Sequence, residues 1–427
     1  MKKKIKIILL LMALSICFGV AMKTTGVLAS PQNKQVKWKT RKSVVISKKD
    51  IKYYAYLSND KKQSWIYKIK VKKKVKKLVI PKKIKNAPVT RVGFGKELFT
   101  GDMESGCNVF GEQFDFMHGY SFENQKNKNT ITEIQFPKTV KWIDEGAFYG
   151  MKQLENVKIP NKVEILDRYT FSKCPSLKTV VFPEKMQDIS CYAFGESDNV
   201  SKISISPKCK KYTVKDGFVI DKKKKSIVWV VSAKKDVVVP DTVVCIGDSA
   251  FATSRAITVS ISKSIQKIGY KALSCKTIQN VSIDSENGKY VMQDNCIFTK
   301  EDATLAAVLV TGKEIRISDK VKIIGENISV MGNMELSDKE LLDDDKNFSV
   351  HIPASVEKVM HWWIFFDSAD VYFYGMKPPV IVSKYDKVSN DIPTSNRVYV
   401  PKGAKEAYLQ WAKDQDVEIN VLKVNEF

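Results

Sequence analysis

The amino-acid sequence predicts a β-rich solenoid, in which short strands of successive coils form a parallel sheet. Three consecutive 23-residue segments share one hydrophobic pattern: ITEIQFPKTVKWIDEGAFYGMKQ from Ile131, LENVKIPNKVEILDRYTFSKCPS from Leu154 and LKTVVFPEKMQDISCYAFGESDN from Leu177. Related copies continue downstream, with steps of 23, 34, 22, 22, 34 and 35 residues up to Ile352. Because one copy is too short to bury its own apolar edge, the copies are expected to stack.

Each copy begins with a predicted strand. In the second copy, Leu154, Val157 and Ile159 are apolar at spacing i, i+3, i+5, and the last two alternate with the period of a strand. Pro160 follows and ends the strand, because proline cannot donate a ladder hydrogen bond. The corresponding residues of the other two copies are Ile131, Ile134, Phe136 and Pro137, and Leu177, Val180, Phe182 and Pro183.

The second half of each copy is predicted to turn back over the strand. Val163 and Leu166 lie three residues apart and are expected to point inward. Phe171 then closes the coil from the far side, as Phe148 and Phe194 do in the neighbouring copies. We therefore expect these aromatic side chains to be buried.

Two of the longer steps contain related insertions. Tyr212 and Tyr290 fall at equal offsets, and each leads to a lysine-containing turn, GFVIDKKKKSIV and NCIFTKEDATLA respectively. We interpret each insertion as a hairpin pushed out of one coil. A fixed period with such insertions is typical of a solenoid.

The two ends of a stacked sheet need caps, because open strand edges invite aggregation. Residues 30–77 are predicted to form a basic N-terminal β cap, with strands around Tyr53 to Leu57 and Trp65 to Val71. Residues 377–427 are predicted to form a C-terminal cap, with a last strand RVYV, Pro401 and a short helix from Ala404 to Lys413. The repeats occupy residues 78–376, with insertions at about 93–130 and 329–348.

These segments resemble the BspA-like leucine-rich repeat family. The resemblance is carried by LENVKIPNKVEILDRYTFSKCPSL and VVVPDTVVCIGDSAF, by IPKKIKNAPVTRVG at the entry, and by VYFYGMKPPVI and VYVPKGAKEAY at the exit. It covers roughly Leu78 to Leu409 and is interrupted at the two insertions. The resemblance implies a leucine-rich repeat array in a secreted or surface protein, and some members of the family bind fibronectin, fibrinogen or host cells.

The N-terminus has the pattern of a secretory signal peptide. Residues 1–29 combine a lysine-rich start, an apolar run from Ile5 to Met22 and small residues before Ser30, and cleavage is expected after Ala29. A retained membrane anchor and lipidation at Cys17 are the alternatives. No other stretch approaches the roughly 20 apolar residues of a membrane span. The sequence therefore predicts a secreted or cell-surface-associated chain with no transmembrane span after cleavage.

The net charge of +24 is concentrated near the N-terminus. Residues 30–91 hold 21 lysines and arginines against two aspartates, whereas the chain from Val92 onward holds 45 basic and 45 acidic residues. An exported chain is not expected to meet nucleic acid, so the candidate partners are anionic cell-wall polymers, membrane head groups and acidic host glycans. The alternative is a solvated surface that keeps the protein soluble. The candidate lysines are Lys72, Lys73, Lys74, Lys76 and Lys77.

The sequence contains no motif typical of an enzyme. HExxH, GxSxG and a phosphate-binding glycine loop are absent, and the three histidines are not next to a cysteine or a pair of carboxylates. The eight cysteines form no CxxC pair, so a disulfide is allowed but not required. Cys174 and Cys275 share a repeat position that favours small buried side chains over reactive thiols. We expect no catalytic residue, metal site or cofactor.

Three segments each have two interpretations. The aromatic and glycine-rich segment 105–124 either contacts a partner or plugs the first coil. The acidic segment 335–345 either binds calcium or is a solvated loop, and its spacing matches no calcium-binding loop. The aromatic segment 361–366, HWWIFF, either forms a surface platform or belongs to the core, because Ile364 falls where the repeat places its aromatic residue.

The remaining candidate surface follows from strand alternation. The residue between two inward positions should face out across the sheet, and these residues are Gln135, Lys158, Val181, Ser204, Val238, Ser260, Ser282, Arg316, His351, Tyr372 and Tyr399. Solenoids bind protein ligands on such extended faces. Lys158, Ser204, Ser260, Ser282, Arg316, His351, Tyr372 and Tyr399 are therefore the candidate ligand-binding residues, and a passive hydrated face is the alternative.

Together these features predict a secreted, non-catalytic binding protein with a protein or glycan ligand. A host extracellular-matrix protein is the candidate ligand that the family resemblance implies. The alternative is a structural protein of the cell wall, held there by its basic N-terminal region.

Overall fold

The computed structural model describes residues 36–38, 43–93, 105–107, 113–115, 126–231, 233–332, 349–360, 370–382, 397–414 and 423–427. These residues form two compact units. The N-terminal unit holds the described residues up to Lys234 together with Ala250–Arg255. The C-terminal unit holds Lys235–Ser249 and the described residues from Ala256 onward. The predicted leader at residues 1–29, the segments 335–345 and 361–366, and most of segment 105–124 lie outside the described residues.

The N-terminal unit is built almost entirely of short strands. Its strands are β1 Val44–Lys48, β2 Ile51–Leu57, β3 Ser64–Val71, β4 Lys77–Val79, β5 Lys83–Ile84, β6 Ala87–Val92, β7 Ser105–Cys107, β8 Gln113–Asp115, β9 Glu133–Gln135, β10 Trp142–Ile143, β11 Asn156–Lys158, β12 Ile165–Leu166, β13 Thr179–Phe182, β14 Asp188–Ile189, β15 Lys202–Ile205, β16 Tyr212–Lys215, β17 Phe218–Asp221 and β18 Ser226–Val230. Two short 3-10 helices, Lys126–Thr130 and Cys191–Phe194, complete it.

The main sheet of this unit is parallel, in the order β15-β13-β11-β9-β4. Each strand comes from a different coil, and each of β9, β11 and β13 ends immediately before its proline or one residue earlier. At the front, β1, β2 and β3 form an antiparallel sheet, whose strand β3 pairs in parallel with β6. The two-residue strands β10, β12 and β14 form further parallel pairs: β10 pairs with β6, and β12 pairs with β14. These sheets confirm the predicted solenoid and its N-terminal β strands.

The core of the N-terminal unit contains a column of aromatic rings. Phe148, Phe171 and Phe194 are fully buried, and their ring centroids are 5.5 and 5.9 Å apart in stacked geometry. The column continues to Trp229, stacked 4.7 Å from Phe194. The predicted aromatic position of the repeat is therefore confirmed, because each ring packs on its counterpart in the next coil.

The first insertion differs from its prediction. The sequence predicts a hairpin that projects from one coil, but β16, β17 and β18 form a three-stranded antiparallel meander that belongs to the core. Phe218, Val219, Ile227 and Trp229 on these strands are fully buried. The exposed residues lie at the two turns, namely Lys215 and Asp216 between β16 and β17 and Lys222–Lys225 between β17 and β18. The lysine-rich turn therefore hid the apolar alternation on either side of it in the sequence.

The C-terminal unit repeats this architecture and adds one helix. Its elements are β19 Asp236–Val238, β20 Cys245–Ile246, β21 Thr258–Ile261, β22 Lys267–Ile268, β23 Asn280–Ile283, β24 Tyr290–Gln293, β25 Cys296–Thr299, β26 Thr304–Leu309, β27 Glu314–Arg316, β28 Ile323–Met331, β29 Ser349–Ile352, β30 Lys358–Val359, β31 Asp370–Phe373, β32 Val380–Ile381, β33 Arg397–Val400, α1 Lys405–Asp414 and β34 Lys423–Glu426.

Two parallel sheets carry the outward strands of the C-terminal unit. One has the order β19-β21-β23 and the other β27-β29-β31-β33-β34. Strands β24, β25 and β26 form a second antiparallel meander, and β26 continues in parallel into β28, β30 and β32. Strand β28 extends to Met331, three residues into the region where the sequence suggests an insertion, and Ser329 within it is fully buried.

The C-terminal end has a helix, as predicted, and one strand more than predicted. Helix α1 buries Tyr408 and Ala412, and the Tyr408 hydroxyl donates to the carbonyl oxygen of Gly375 at 3.0 Å. RVYV is predicted to be the last strand, but β34 pairs in parallel with it and becomes the edge strand. The segment from Val421 keeps only the first two apolar positions of the repeat, Val421 and Val424, because Glu426 takes the place of Val400, so the pattern does not predict a strand.

Candidate binding surface on the parallel sheets

The outward-facing residues of the main strands form two rows in each sheet. The row predicted from the sequence, which we call the ladder row, comprises Gln135, Lys158, Val181 and Ser204 in the N-terminal unit, and the structure adds Val79, which is paired with Gln135. The companion row, two residues earlier in each strand, comprises Lys77, Glu133, Asn156, Thr179 and Lys202. The strand pairing aligns Val79 with Gln135, and Lys158 with Val181 and Ser204. Sequence reasoning missed the companion row, although the same alternation applied to residue i−2 predicts it.

The ladder residues of β19, β21 and β23 are two serines and one valine. In the C-terminal unit, Val238, Ser260 and Ser282 are paired across β19, β21 and β23. The hydroxyl of Ser282 donates to that of Ser260 at 3.2 Å. Val238 is 65% exposed, so an aliphatic side chain stands free at one edge of these serines. This part of the surface offers hydroxyl groups and one apolar contact.

The C-terminal end of the ladder row is aromatic and basic. Arg316, His351, Tyr372, Tyr399 and Asn425 are aligned across β27, β29, β31, β33 and β34. The ring of His351 stacks on Tyr372 at 4.7 Å, and Tyr372 stacks on Tyr399 at 4.5 Å. Because parallel strands lie about 4.8 Å apart, aligned aromatic residues on one face stack in this way.

His351 occupies the ladder row but is only 9% exposed. Its Nε2 lies 2.9 Å from the Ser349 hydroxyl, and its Nδ1 lies 2.9 Å from the Tyr374 hydroxyl, so both ring nitrogens have partners. Burial and the neighbouring Arg316 lower the pKa of His351, and Glu314 opposes this effect. The arrangement favours a neutral imidazole that holds its neighbours in position.

Arg316 is the exposed cation of this end. Its Nε and Nη2 both lie 2.8 Å from the Glu314 carboxylate in the companion row, and its side chain remains 62% exposed. The acidic partner restricts the guanidinium without covering it. Arg316 can therefore still donate hydrogen bonds to a ligand.

The aromatic rings at the C-terminal end of the ladder row stack on one another, so their neighbours cover most of their faces. Tyr372 is stacked between His351 and Tyr399, which leaves its edge and hydroxyl toward the surface. Phe427 approaches Tyr374 edge-on at 5.4 Å, and both rings are substantially exposed. A ligand thus meets ring edges, hydroxyl groups and Phe427 rather than an open aromatic face.

The candidate lysines of the N-terminal region lie between β3 and β4 and at the start of β4. Lys72, Lys73, Lys74, Lys76 and Lys77 are all exposed. Lys77 forms an ion pair with Glu133 at 2.9 Å. The basic run is therefore available to solvent, and one of its five charges is partly balanced by the companion row.

Other chemistry is sparse in the described part of the chain. Within it, no group of three or more His, Cys, Asp or Glu residues is arranged to hold a metal ion. Cys174, Cys191, Cys209, Cys275 and Cys296 are buried, and burial raises the pKa of the Cys296 thiol to about 11. The predicted role of Cys174 and Cys275 as buried fillers fits these positions. No helix of the described ranges is long and apolar enough to cross a membrane.

Comparison with known proteins supports the repeat architecture. A family model described as BspA type leucine rich repeat region matches six copies, over residues 110–216 and 231–304. No curated protein matches the chain.

Several solved structures match the chain at low sequence identity. A leucine rich cell surface protein from Faecalibacterium prausnitzii is 15% identical, with 81% of this chain and 96% of that chain covered and a TM-score of 0.30. The pneumococcal vaccine antigen PcpA is 14% identical, with 90% and 98% covered and a TM-score of 0.38. A leucine-rich repeat protein from Eubacterium ventriosum is 14% identical, with 85% and 88% covered and a TM-score of 0.37.

Proposed function

Because the chain is a leucine-rich repeat protein of the BspA type, we propose that it is a secreted, non-catalytic binding protein that acts as an adhesin. Its ligand is a protein or glycan of the host surface or matrix. The repeats supply a rigid sheet face, and the ladder and companion rows supply the side chains that contact the ligand. The chain reaches the outside of the cell through the predicted leader at residues 1–29.

The observation that carries this proposal is the C-terminal end of the ladder row. Arg316 is exposed while Glu314 holds it in place, and the edges of Tyr372 and Tyr399 follow it on adjacent strands. Arginine and tyrosine are the residue types most enriched among side chains that dominate protein interfaces. The contact area therefore centres on these three residues, and the largely buried His351 lies between Arg316 and Tyr372 in the row.

The remaining ladder residues of each unit offer weaker contacts. Lys158 and Ser204 in the N-terminal unit, and Ser260 and Ser282 in the C-terminal unit, offer one ammonium group and three hydroxyl groups. Val79 and Val238 add exposed aliphatic surface. Side chains of this kind contribute complementarity more than affinity.

Binding of the mature chain to immobilised fibronectin and fibrinogen tests the proposal. Arg316→Ala should weaken binding by about tenfold or more, as removal of a central interface side chain does. Tyr372→Phe and Tyr399→Phe remove only the hydroxyl groups and keep the stack, so a loss of binding in these variants reports contact and not folding. Lys358→Ala, at an exposed lysine on β30 outside the three sheets that carry ladder residues, is the matched control and should bind like wild type.

Wild-type affinity in all three ladder variants, with an unchanged unfolding midpoint, would remove this surface as the binding site. Absence of binding of the wild-type chain to either matrix protein would leave a wider panel of host proteins and glycans as the next test of the adhesin role. Surface retention of the ladder variants should remain normal in every case.

A structural role in the cell wall is the second candidate, and the exposure of Lys72, Lys73, Lys74, Lys76 and Lys77 favours it. Under this alternative, acidic wall polymers hold the basic run by long-range attraction, which salt screens over about 8 Å at physiological ionic strength. Reversal of the five charges should then release the protein from the cell surface, and raised salt should do the same. Retention that survives both treatments excludes this role.

A further inference from the structure

The two meanders are structural duplicates of each other. Every residue of β16, β17 and their turns has a counterpart 78 positions later, beginning with Tyr212 and Tyr290. In the first meander the backbone N–H of Lys222 donates to the Lys211 carbonyl at 2.8 Å, and in the second Lys300 donates to Lys289 at 2.9 Å. The hairpin turns also agree, because residues 216 and 217 and residues 294 and 295 all have positive φ angles.

One lysine has the same structural role in both meanders. The Nζ of Lys222 donates to the carbonyl oxygen of Cys209 at 2.6 Å, and the Nζ of Lys300 donates to that of Asn287 at 2.6 Å. This ammonium group satisfies a backbone acceptor and is part of the fold. Lys289 and Asp294 also keep the charges of Lys211 and Asp216, and the remaining charged residues of the two meanders differ.

The charges of the two copies have opposite sign. Residues 208–225 contain eight lysines and two aspartates, whereas residues 286–303 contain two lysines and four acidic residues. Lys223, Lys224 and Lys225 correspond to Glu301, Asp302 and Ala303, and Lys208 corresponds to Glu286. Since the same backbone forms with either set, the fold does not require the lysines of the first copy.

The lysines of the first meander project from a turn that is held in one shape. Asp221 is buried, and its Oδ1 accepts the backbone N–H groups of Lys223 and Lys224 at 3.0 and 2.9 Å. Lys208, Lys210, Lys223, Lys224 and Lys225, which we call the meander lysines, are all exposed. The backbone therefore presents five ammonium groups from two adjacent segments.

The meander lysines lack the carboxylate partners that the second copy has. There, Lys289 pairs with Glu301 at 3.4 Å and Lys263 pairs with Glu286 at 2.6 Å. Among the residues that the structure describes, none pairs with a meander lysine as an ion pair. Asp188 interacts electrostatically with Lys211 and Lys224, and it is one acid among the five meander lysines together with Lys211 and Lys222.

We propose that the meander lysines form a binding site for a linear polyol-phosphate polymer, that is, a chain of repeating phosphodiester groups without bases. Lysine binds phosphate as a point charge, and the absence of arginine from residues 207–226 means that recognition depends on repeated charge rather than on a bidentate contact. The site lies on the turn of the first meander, apart from the ladder row and from the basic run at residues 72–77. It does not depend on the adhesin role.

The chemistry around the site favours a polymer without bases over a single-stranded nucleic acid. Proteins that bind single strands combine a basic groove with aromatic side chains on which the bases stack. The aromatic residues of the first meander, Tyr212, Phe218 and Trp229, are all buried. The site therefore supplies the charges that phosphodiester groups need and no exposed ring for a base.

The test replaces three turn residues of the first meander with their counterparts from the second meander. The triple variant Lys223→Glu, Lys224→Asp, Lys225→Ala carries the residues that the second meander has on the same backbone. The control variant Lys138→Glu, Lys152→Asp, Lys162→Ala makes the same change of net charge at three exposed lysines of the same unit that belong to neither basic cluster. Binding of the full chain to fluorescent poly(glycerol phosphate) is measured by anisotropy from about 50 to 300 mM salt, with heparin and oligothymidylate as competing probes.

The meander variant should bind at least about tenfold more weakly at low salt. The slope of log affinity against log salt should fall in magnitude by about 2, because each lost phosphate contact removes roughly 0.7. The control variant should lose less than about threefold. If the meander variant is poorly folded by its unfolding midpoint, the triple Lys→Gln variant at the same positions replaces it.

Three outcomes overturn the proposal. Wild-type affinity in the meander variant means that these lysines do not contact the polymer. Equal losses in both variants mean that net charge alone controls binding. Tighter binding to heparin or oligothymidylate than to poly(glycerol phosphate) means that the ligand belongs to another class of polyanion.

Discussion

The Nε of Arg91 donates to both carboxylate oxygens of Asp144, at 2.8 and 3.1 Å, and the two side chains are 3% and 9% exposed. The guanidinium also lies 4.0 Å above the ring of Trp65. These contacts connect strand β6 to the first regular coil, where Arg91 is paired with Trp142. The front of the N-terminal unit is thus joined to the repeats by a buried charge pair as well as by apolar packing.

Asp144→Ala should destabilise the N-terminal unit by about 3–5 kcal/mol, because it leaves the buried Arg91 charge without its carboxylate. Urea unfolding followed by tryptophan fluorescence measures this loss. The control is Glu133→Ala, which breaks the exposed ion pair with Lys77 and should cost less than about 1 kcal/mol. Equal costs would show that the Arg91 pair is not buried in solution.

Phe171→Ala should cost about 3–5 kcal/mol of unfolding free energy, as for other buried aromatic residues. The ring is stacked on Phe148 on one side and on Phe194 on the other, so its removal leaves a cavity between two coils. Val79→Ala on the exposed ladder row is the control and should change the stability by about 0.5 kcal/mol or less. A cost below about 1 kcal/mol for Phe171→Ala contradicts the packing of the column.

The aromatic column shows how much of the fold the sequence predicts. Phe171 could be placed because its spacing from Leu154 recurs in three copies, and recurrence at a fixed interval reports the shared burial of equivalent positions. Strand β34 could not be predicted, because Val421 and Val424 keep the spacing of the repeat but Glu426 stands where β33 has the apolar Val400. The meanders were only half predicted, because Lys222 to Lys225 suggest a solvated loop while Phe218 and Trp229 on the adjoining strands are buried.

The alignment of the candidate surface residues could be predicted from the sequence, whereas the exposure of their side chains could be predicted only in part. Alternation placed Arg316, His351, Tyr372 and Tyr399 in one row, and the strand pairing agrees. The covering of His351 depends on Tyr374, which reaches back from beyond the end of β31 to bond the imidazole. The strand period indicates on which face a side chain lies. It does not indicate that Tyr374, one residue beyond the end of β31, bonds the imidazole of His351.

Stability should fall as the pH is lowered below about 6.5 in a manner that depends on His351. Burial and Arg316 lower its pKa in the folded protein, so the unfolded chain takes up a proton at a higher pH than the folded chain does. The loss begins near the unfolded pKa and stops growing once the pH is below the folded pKa.

Urea unfolding at pH 7.5 and pH 5 measures this effect. His351→Asn keeps a polar side chain without a group that titrates in this range, and its drop in stability between the two pH values should be smaller than that of wild type. Ser282→Ala, which removes a hydroxyl group from the separate sheet of β19, β21 and β23, is the control and should retain the wild-type pH dependence. An equal drop in wild type and His351→Asn would assign the effect to other groups.

Gly332→Ala should destabilise the C-terminal unit by about 3 kcal/mol or more. Gly332 has a φ of 92°, and an added Cβ would lie 2.4 Å from the carbonyl oxygen of Val310, which is backbone and cannot move aside cheaply. Gly312 has a φ of 111° with open space around it, so Gly312→Ala reports the backbone strain alone, about 1–2 kcal/mol. Thermal unfolding of the two variants should rank them in this order, and the reverse ranking contradicts the close approach at Gly332.

The pairing of β9, β11, β13 and β15 has a mechanical consequence. Each of these strands comes from a different coil and bonds side by side to the next, so the coils are joined across their strands and not along them. Tension applied between the two ends of such a stack loads the hydrogen bonds between one pair of coils at a time, so the coils separate one after another. Each 23-residue coil that detaches adds about 80 Å of extended chain. The N-terminal unit therefore lengthens in steps under force, and the coils that have not yet detached keep their ladder residues aligned.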